Sequence, residues 1–254
     1  MADKPLIFVT NDDGYFAKGI NELVGVLSKF AKVIVMAPDQ SRSGYSCAFT
    51  AKEPLQIKKL SEQNDVTVYS TTGTPTDCAK LAFFKLFSKE KPDLVISGIN
   101  HGSNASVNAI YSGTVGAAIE GCVNQVPSIA FSLCEMDKDA DFSYSLPWVE
   151  KIVRYVLANS LPLGVFLNVN FPSGELKGCK ACRQADAYWC QEFDVIKDED
   201  GNEAYALTGT FVNREPGVEG TDLWALDNGY ASIVPILSNR TDMTYLNVLN
   251  DKLV

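Results

Sequence analysis

Two aspartates in direct succession, Asp12 and Asp13, end the apolar run Leu6-Ile-Phe-Val-Thr10. Adjacent ionised carboxylates repel one another, and a bound cation or a proton relieves the repulsion. With the hydroxyl of Ser41 or Ser43 and the amide oxygen of Asn100, the pair offers only hard oxygen ligands, a set that suits magnesium, manganese or calcium better than zinc. Taken alone, an Asp-Asp pair also reads as an acidic cap on a helix N-terminus. Three polar segments following apolar runs, Asn11-Asp-Asp-Gly14, Asp39-Gln-Ser-Arg-Ser-Gly44 and Gly98-Ile-Asn-His-Gly-Ser-Asn104, turn the balance toward a metal site.

A fourth segment, Tyr111-Ser-Gly-Thr114, precedes an apolar stretch of helical character. Ser112, Gly113 and Thr114 combine two hydroxyls with a flexible backbone at a helix start, where unpaired N–H groups form an anion site suited to phosphate. A plain Ser or Thr N-cap is the simpler reading of that segment in isolation. The amides of Asn104 and Asn108 add donors for phosphate oxygens. His101, the single histidine, lies inside the third segment, yet without a paired nucleophile it defines no Ser-His-Asp arrangement. Arg42 reads either as a clamp for a phosphate or base, or as a solvated loop cation. Cys179, Cys182 and Cys190 fall short of the four soft ligands of a structural zinc. Tyr188, Trp189, Tyr205, Phe211 and Trp224 read as packing aromatics, with stacking on a nucleobase as the rival use.

The elements that must position these groups alternate. Residues 6–10 predict a buried strand, 19–30 an amphipathic helix and 33–37 a second strand. The pattern continues with a helix over 78–86, a strand over 93–97, a helix over 113–123 and a strand over 128–132. Such alternation predicts an α/β fold with a doubly wound, Rossmann-like parallel sheet, a three-layer αβα core. Ligands of open parallel sheets sit beyond the carboxyl ends of the strands, where the four polar segments fall. A helix over 148–157 and a strand over 165–171 follow. Residues 174–222 are then rich in Gly, Tyr, Trp and charge, with a hairpin tip at Asp198-Glu-Asp-Gly-Asn202, and read as an appended β-rich arm. We therefore expect residues 1–135 to carry the catalytic core, and 136–254 to complete it and supply the arm and a carboxy-terminal segment for assembly.

Composition narrows the function classes. The chain has 254 residues, 46% hydrophobic and 21% charged, the profile of a folded globular protein. Thirty-one acidic against 22 basic residues give a net charge of −9, so no bulk positive field draws duplex nucleic acid or an anionic membrane. Any phosphate must be held locally. The four apolar residues after Pro5 are too few for a signal-peptide core, and no apolar run approaches the roughly 18 to 20 residues of a membrane helix. Seven cysteines, an odd number and mostly solitary, fit a reducing, cytoplasmic setting.

The ordered motifs also resemble a known family. Thr10-Asn-Asp-Asp-Gly14, Ala37-Pro-Asp39 with Arg42-Ser-Gly44, Gly73-Thr-Pro-Thr-Asp-Cys78, Ser97-Gly-Ile-Asn-His-Gly-Ser-Asn104 and Tyr111-Ser-Gly-Thr-Val-Gly-Ala-Ala118 are similar to the SurE family of survival proteins. Leu167-Asn-Val-Asn-Phe-Pro172, Gly220-Thr-Asp222 and Gly229-Tyr230 extend the likeness over nearly the whole chain. The resemblance implies a metal-dependent nucleotidase acting on nucleoside monophosphates. It implies Asp12, Asp13, Ser43 and Asn100 as metal ligands, and Asn104, Ser112, Gly113 and Thr114 as phosphate contacts. It also implies a homodimer or homotetramer whose arm and carboxy-terminal elements exchange between subunits. Two departures stand out: Ser106-Val-Asn108 replaces an acidic Gly-Asp-Asp stretch, which bears on base and sugar preference, and Ser46-Cys-Ala48 replaces the usual Gly or His, which bears on loop conformation.

The expected reaction is metal-assisted attack of water on a phosphomonoester, with Asp13, Asn104 and Ser112 in the catalytic machinery and Asp13 as ligand, general base or both. Two rivals are an aspartyl-phosphate phosphatase, whose paired aspartates are usually separated by one residue, and a nucleotide-binding regulator without catalysis.

Overall fold

The computed structural model describes residues 4–253; the first three residues, part of the amino-terminal stretch read above for export, lie outside them. The apolar run at the start forms β1 (Leu6–Thr10), followed by α1 (Lys18–Leu27) and β2 (Lys32–Pro38). Ile20, Leu23 and Leu27 give α1 one buried face, which packs on the sheet with Ile7, Val9, Val33 and Val35. An edge hairpin, β3 (Ile57–Gln63) and β4 (Val66–Thr71), comes next. Then come α2 (Pro75–Lys85), β5 (Leu94–His101), the short α3 (Asn108–Tyr111), α4 (Gly113–Val123) and β6 (Ser128–Leu133). The core is completed by α5 (Leu146–Asn159) and β7 (Val165–Phe171).

Nine strands form one sheet in the order β3-β4-β2-β1-β5-β6-β7-β13-β8, where β8 is Gly178–Ala181 and β13 is Tyr230–Leu237. From β4 to β7 neighbouring strands run parallel, while β3 pairs antiparallel with β4, and β13 antiparallel with β7. The sheet is thus mixed, with a parallel centre and antiparallel pairings toward both edges. Helices cover both faces: α1 and α5 belong to one core cluster, and α2 packs in another with Phe8, Met36 and Val95.

Part of the stretch expected as an arm belongs to the main sheet, since β8 pairs with β13. What projects is β9 (Ala187–Cys190) paired with β12 (Thr210–Asn213), and the hairpin β10 (Phe193–Lys197) with β11 (Glu203–Leu207), whose tip is the predicted 198–202. Helices α6 (Asp222–Asp227) and α7 (Met243–Leu253) complete the chain, and α7 has no buried residue. No helix among the described residues is long and apolar enough to cross a membrane.

Candidate active site

The end of β1 is a rigid turn. Asn11 donates its amide to Gly14 O at 2.9 Å and accepts from Gly14 N at 3.2 Å, and Gly14 adopts a φ of 102°. A side chain at Gly14 would collide with the Phe16 ring at 2.9 Å, so glycine serves both the backbone angle and the space. This turn fixes the direction of Asp12 and Asp13.

Asp12 is 4% exposed, and the Thr114 hydroxyl donates to its Oδ1 at 2.5 Å. Burial is the main cause that pushes its carboxyl up to about 6; the Thr114 hydrogen bond opposes the rise and the neighbouring Asp13 charge adds to it. Asp13 is also raised, chiefly by burial, against a backbone hydrogen bond from His101 N at 3.2 Å. Among the described residues, no lysine, arginine or histidine side chain forms an ion pair with either aspartate. A buried carboxylate beside a half-buried one, with no ion-pair partner, is an arrangement that a bound cation would stabilise.

The other expected ligands belong to the 39–44 loop and to β5. Arg42 N donates to Asp12 O at 2.7 Å and so docks the 39–44 segment on the turn. Ser43 Oγ lies 3.1 Å from Ser41 Oγ. Both serines, Asp13 and His101 line one cleft of about 540 Å³ together with Lys18 and Lys138. Asn100 lies within β5, which runs on to His101 where a loop from residue 98 was expected. Gly98 allows the continuation: at φ 129°, any Cβ there would sit 2.2 Å from Phe131 O. Asn100 donates its amide to Gly102 O at 2.8 Å, which leaves its side-chain oxygen for another partner. Two carboxylates, a hydroxyl and an amide oxygen form a hard-oxygen donor set that fits a divalent cation of the magnesium or manganese type. Among the described residues no three His, Cys, Asp or Glu gather as a metal site, so a cation here would also need the Ser43 and Asn100 oxygens.

The start of α4 abuts this pair. A Cβ on Gly113 would meet Asp12 Cβ at 3.0 Å, so the missing side chain lets the first turn approach. Ser112 caps the helix by accepting from Val115 N at 3.1 Å and keeps its own hydroxyl hydrogen to donate. Thr114 differs from expectation: it is fully buried and its side-chain hydroxyl is committed to Asp12. Asn104 is buried, with one amide hydrogen on Ser132 Oγ at 2.8 Å.

Several expected neighbours are engaged elsewhere. Asn108 accepts from Trp189 Nε1 at 2.8 Å and donates to Ser103 O at 3.3 Å, so it ties the arm to the loop. Arg42 turns its guanidinium to Thr72 O at 2.7 Å and lines an adjacent cavity of about 490 Å³ with Tyr45 and Thr74. His101 holds Nδ1 2.9 Å from Asp137 O and its ring edge-on to Phe142. Trp189 packs on Phe211, and Trp224 stacks on Tyr230, whereas Tyr205 is exposed on the hairpin. Sequence reasoning missed the support beneath Asn104, supplied by Ser132, Asn168 and Asn170. Asn168 and Asn170, two polar residues at i and i+2 in the otherwise apolar strand Val-Phe-Leu-Asn-Val-Asn-Phe, were its visible signal.

The wider likeness of the chain agrees with this geometry. A family model described as survival protein SurE matches residues 7–191. A protein of Phocaeicola vulgatus named 5′-nucleotidase SurE is 48% identical over 250 residues, covering 98% of this chain and 96% of the relative. Another of that name from Flavobacterium psychrophilum is 48% identical over 252 residues, covering 98% and 97%. The crystal structure of the SurE protein from Aquifex aeolicus superposes with a TM-score of 0.82 at 36% identity, covering 97% of this chain and 100% of that one. With the matched motifs gathered at the strand ends of this sheet, the chain belongs to the SurE family.

Proposed function

We propose that this chain is a metal-dependent 5′-nucleotidase that hydrolyses nucleoside monophosphates to nucleoside and inorganic phosphate. The observation that carries the reading is the meeting of Asp12, which has no ion-pair partner, with the first turn of α4. A cation locus and an anion locus side by side suit a phosphomonoester bound to both. The names of the relatives, 5′-nucleotidase SurE, support the substrate class.

In this proposal Asp12, Asp13, Ser43 and Asn100 hold one divalent cation, magnesium or manganese, with calcium also compatible with the donors. Such a cation supplies a Lewis acid for the phosphoryl oxygen and lowers the pKa of the attacking water. The protein's own groups do the rest. The N–H groups of Gly113 and Thr114, the Ser112 hydroxyl and the Asn104 amide donate to the equatorial oxygens, where charge spreads in the transition state. Asp13 keeps one carboxylate oxygen on His101 N and receives the water proton on the other.

Assembly and location form part of the same reading. Phe193 and Val195 face Leu207 and Tyr205 across the hairpin, an exposed apolar face on an element that is marginal alone in water. We assign the hairpin and α7 to a homodimer or homotetramer that exchanges its carboxy-terminal elements. The seven cysteines are all free, in keeping with the cytoplasm.

The test is phosphate release from adenosine monophosphate by the full chain with added manganese. Chelator should abolish release, and Asp13→Asn should do so in a metal-replete assay without lowering the metal-free melting temperature. Full activity of that variant overturns the assignment of Asp13, and nucleotide binding without phosphate release favours the regulator.

A further inference from the structure

Asn104 is held at three points, two from β7 and one from β6. Its backbone N–H donates to Asn170 Oδ1 at 2.8 Å, and its backbone oxygen accepts from Asn168 Nδ2 at 2.9 Å. Its side-chain amide donates to Ser132 Oγ at 2.8 Å. Ser132 and Asn170 are register partners on β6 and β7, and Asn100 on β5 is the next partner along the same row. This polar row therefore runs from the candidate metal ligand to the support of the phosphate loop. Asn168 and Asn170 are 1% and 0% exposed.

The other side of the loop is held by Asp222, the first residue of α6. Its buried carboxylate accepts from Ser106 N at 2.7 Å and from Ala185 N at 2.9 Å, while Ser106 Oγ donates to Ala185 O at 2.8 Å. Ser106 is thereby kept at φ 53°, a left-handed conformation that serine seldom adopts without restraint. Two amides and a hydroxyl inside a sheet core, and a carboxylate buried at a helix start, cost desolvation that apolar residues would avoid. Nearly all their hydrogen bonds end on residues 104–106 or on the chain that braces them, so what they secure is the placement of that loop.

We propose that Asn170 is a positioning residue for the phosphate contact Asn104, with Asp222 bracing the same loop from the carboxy-terminal part of the chain. The inference rests on the nucleotidase reading. Asn170 touches no reacting group; it sets the backbone from which the Asn104 side chain reaches substrate.

The experiment is a double-mutant cycle in the full chain with manganese and adenosine monophosphate. Asn170→Ala should lower kcat by roughly tenfold or more with KM changed by less than about twofold, because the lost contact strengthens in the transition state. In an Asn104→Ala background the same substitution should leave kcat unchanged. Amide exchange over residues 103–106 should quicken in Asn170→Ala. A lowered melting temperature with equal kcat losses in both backgrounds overturns the proposal. Should Asn170→Ala fail to fold, Asn170→Ser and Asp222→Asn run through the same cycle. If the wild-type chain releases no phosphate, the nucleotidase reading fails; the cycle is then read from binding of inorganic phosphate to the manganese-loaded protein. Weakening by Asn170→Ala only when Asn104 is present upholds the positioning role, and absence of phosphate binding overturns both ideas.

Discussion

The Thr114 hydroxyl donates to Asp12 Oδ1 at 2.5 Å across 102 positions of sequence, joining the end of the first strand to the first turn of α4. The bond lowers the pKa of a carboxyl that burial raises, and it aims Asp12 at the same point in space as the helix start. One hydroxyl thus ties the proposed cation locus to the proposed anion locus.

Replacing Thr114 by Val keeps the shape and removes the donor. Asp12 should then hold its proton to a higher pH, and the manganese concentration for half-maximal activity should rise by about tenfold near neutrality. The deficit should shrink as pH is raised, because the competing proton leaves. An unchanged metal requirement at every pH would show that the bond has no part in tuning the carboxylate.

The raised Asp12 carboxyl also fixes the sign of a stability effect. Its value in the folded chain is about 6 against an ordinary 3.8, so the metal-free fold favours the protonated form. The penalty for ionising it is absent below about pH 4, grows as pH rises from about 4 to about 6, and is complete above, at roughly 3 kcal/mol. A cation relieves that penalty. The rise in melting temperature given by saturating manganese should therefore increase between about pH 4 and 6 and level off above. A metal-induced rise that is flat over this range in thermal scans would falsify the assignment of Asp12 to the cation.

Glycine substitutions should separate folding from chemistry. A Cβ at Gly98 would lie 2.2 Å from Phe131 O at a φ of 129°, so Gly98→Ala should cost the fold about 3 kcal/mol or more. A Cβ at Gly113 would press on Asp12 Cβ at 3.0 Å and Pro75 Cγ at 3.2 Å, contacts that small shifts relieve. Gly113→Ala should keep most of the stability and lose most of the activity, since what shifts is Asp12. Denaturant melts paired with phosphate-release assays distinguish the two; equal losses of stability would contradict this division.

How much of this could be read from the residues varied with what decides each feature. Strands β1, β2, β6 and β7 are buried runs whose composition announces them. The hairpin β3–β4 went unseen because β3, Ile-Lys-Lys-Leu-Ser-Glu-Gln, is a solvated edge strand with a bulge near Ser61 and no sustained alternation. At the site, Asp12, Asp13 and Ser112 were legible because polar groups clustered after apolar runs. Side-chain direction was not legible: Thr114 turns to Asp12, Asn108 to Trp189 and Arg42 to Thr72, choices made by neighbours far apart in sequence.

The arm offers a last test, on assembly. Val195 and Leu207 stand exposed on one face of a hairpin that, among the described residues, has no partner strand beyond its own pair. An apolar face on a two-stranded ribbon is stable when something covers it, and a second copy of the chain has the matching surface. Val195→Lys with Leu207→Glu should therefore lower the molar mass measured by light scattering at a given concentration. The substitutions lie outside the candidate site, so turnover per chain should fall only as far as the arm braces the 104–108 loop through Trp189 and Asn108. An unchanged molar mass would place the subunit contact elsewhere on the surface, with α7 the next element to truncate.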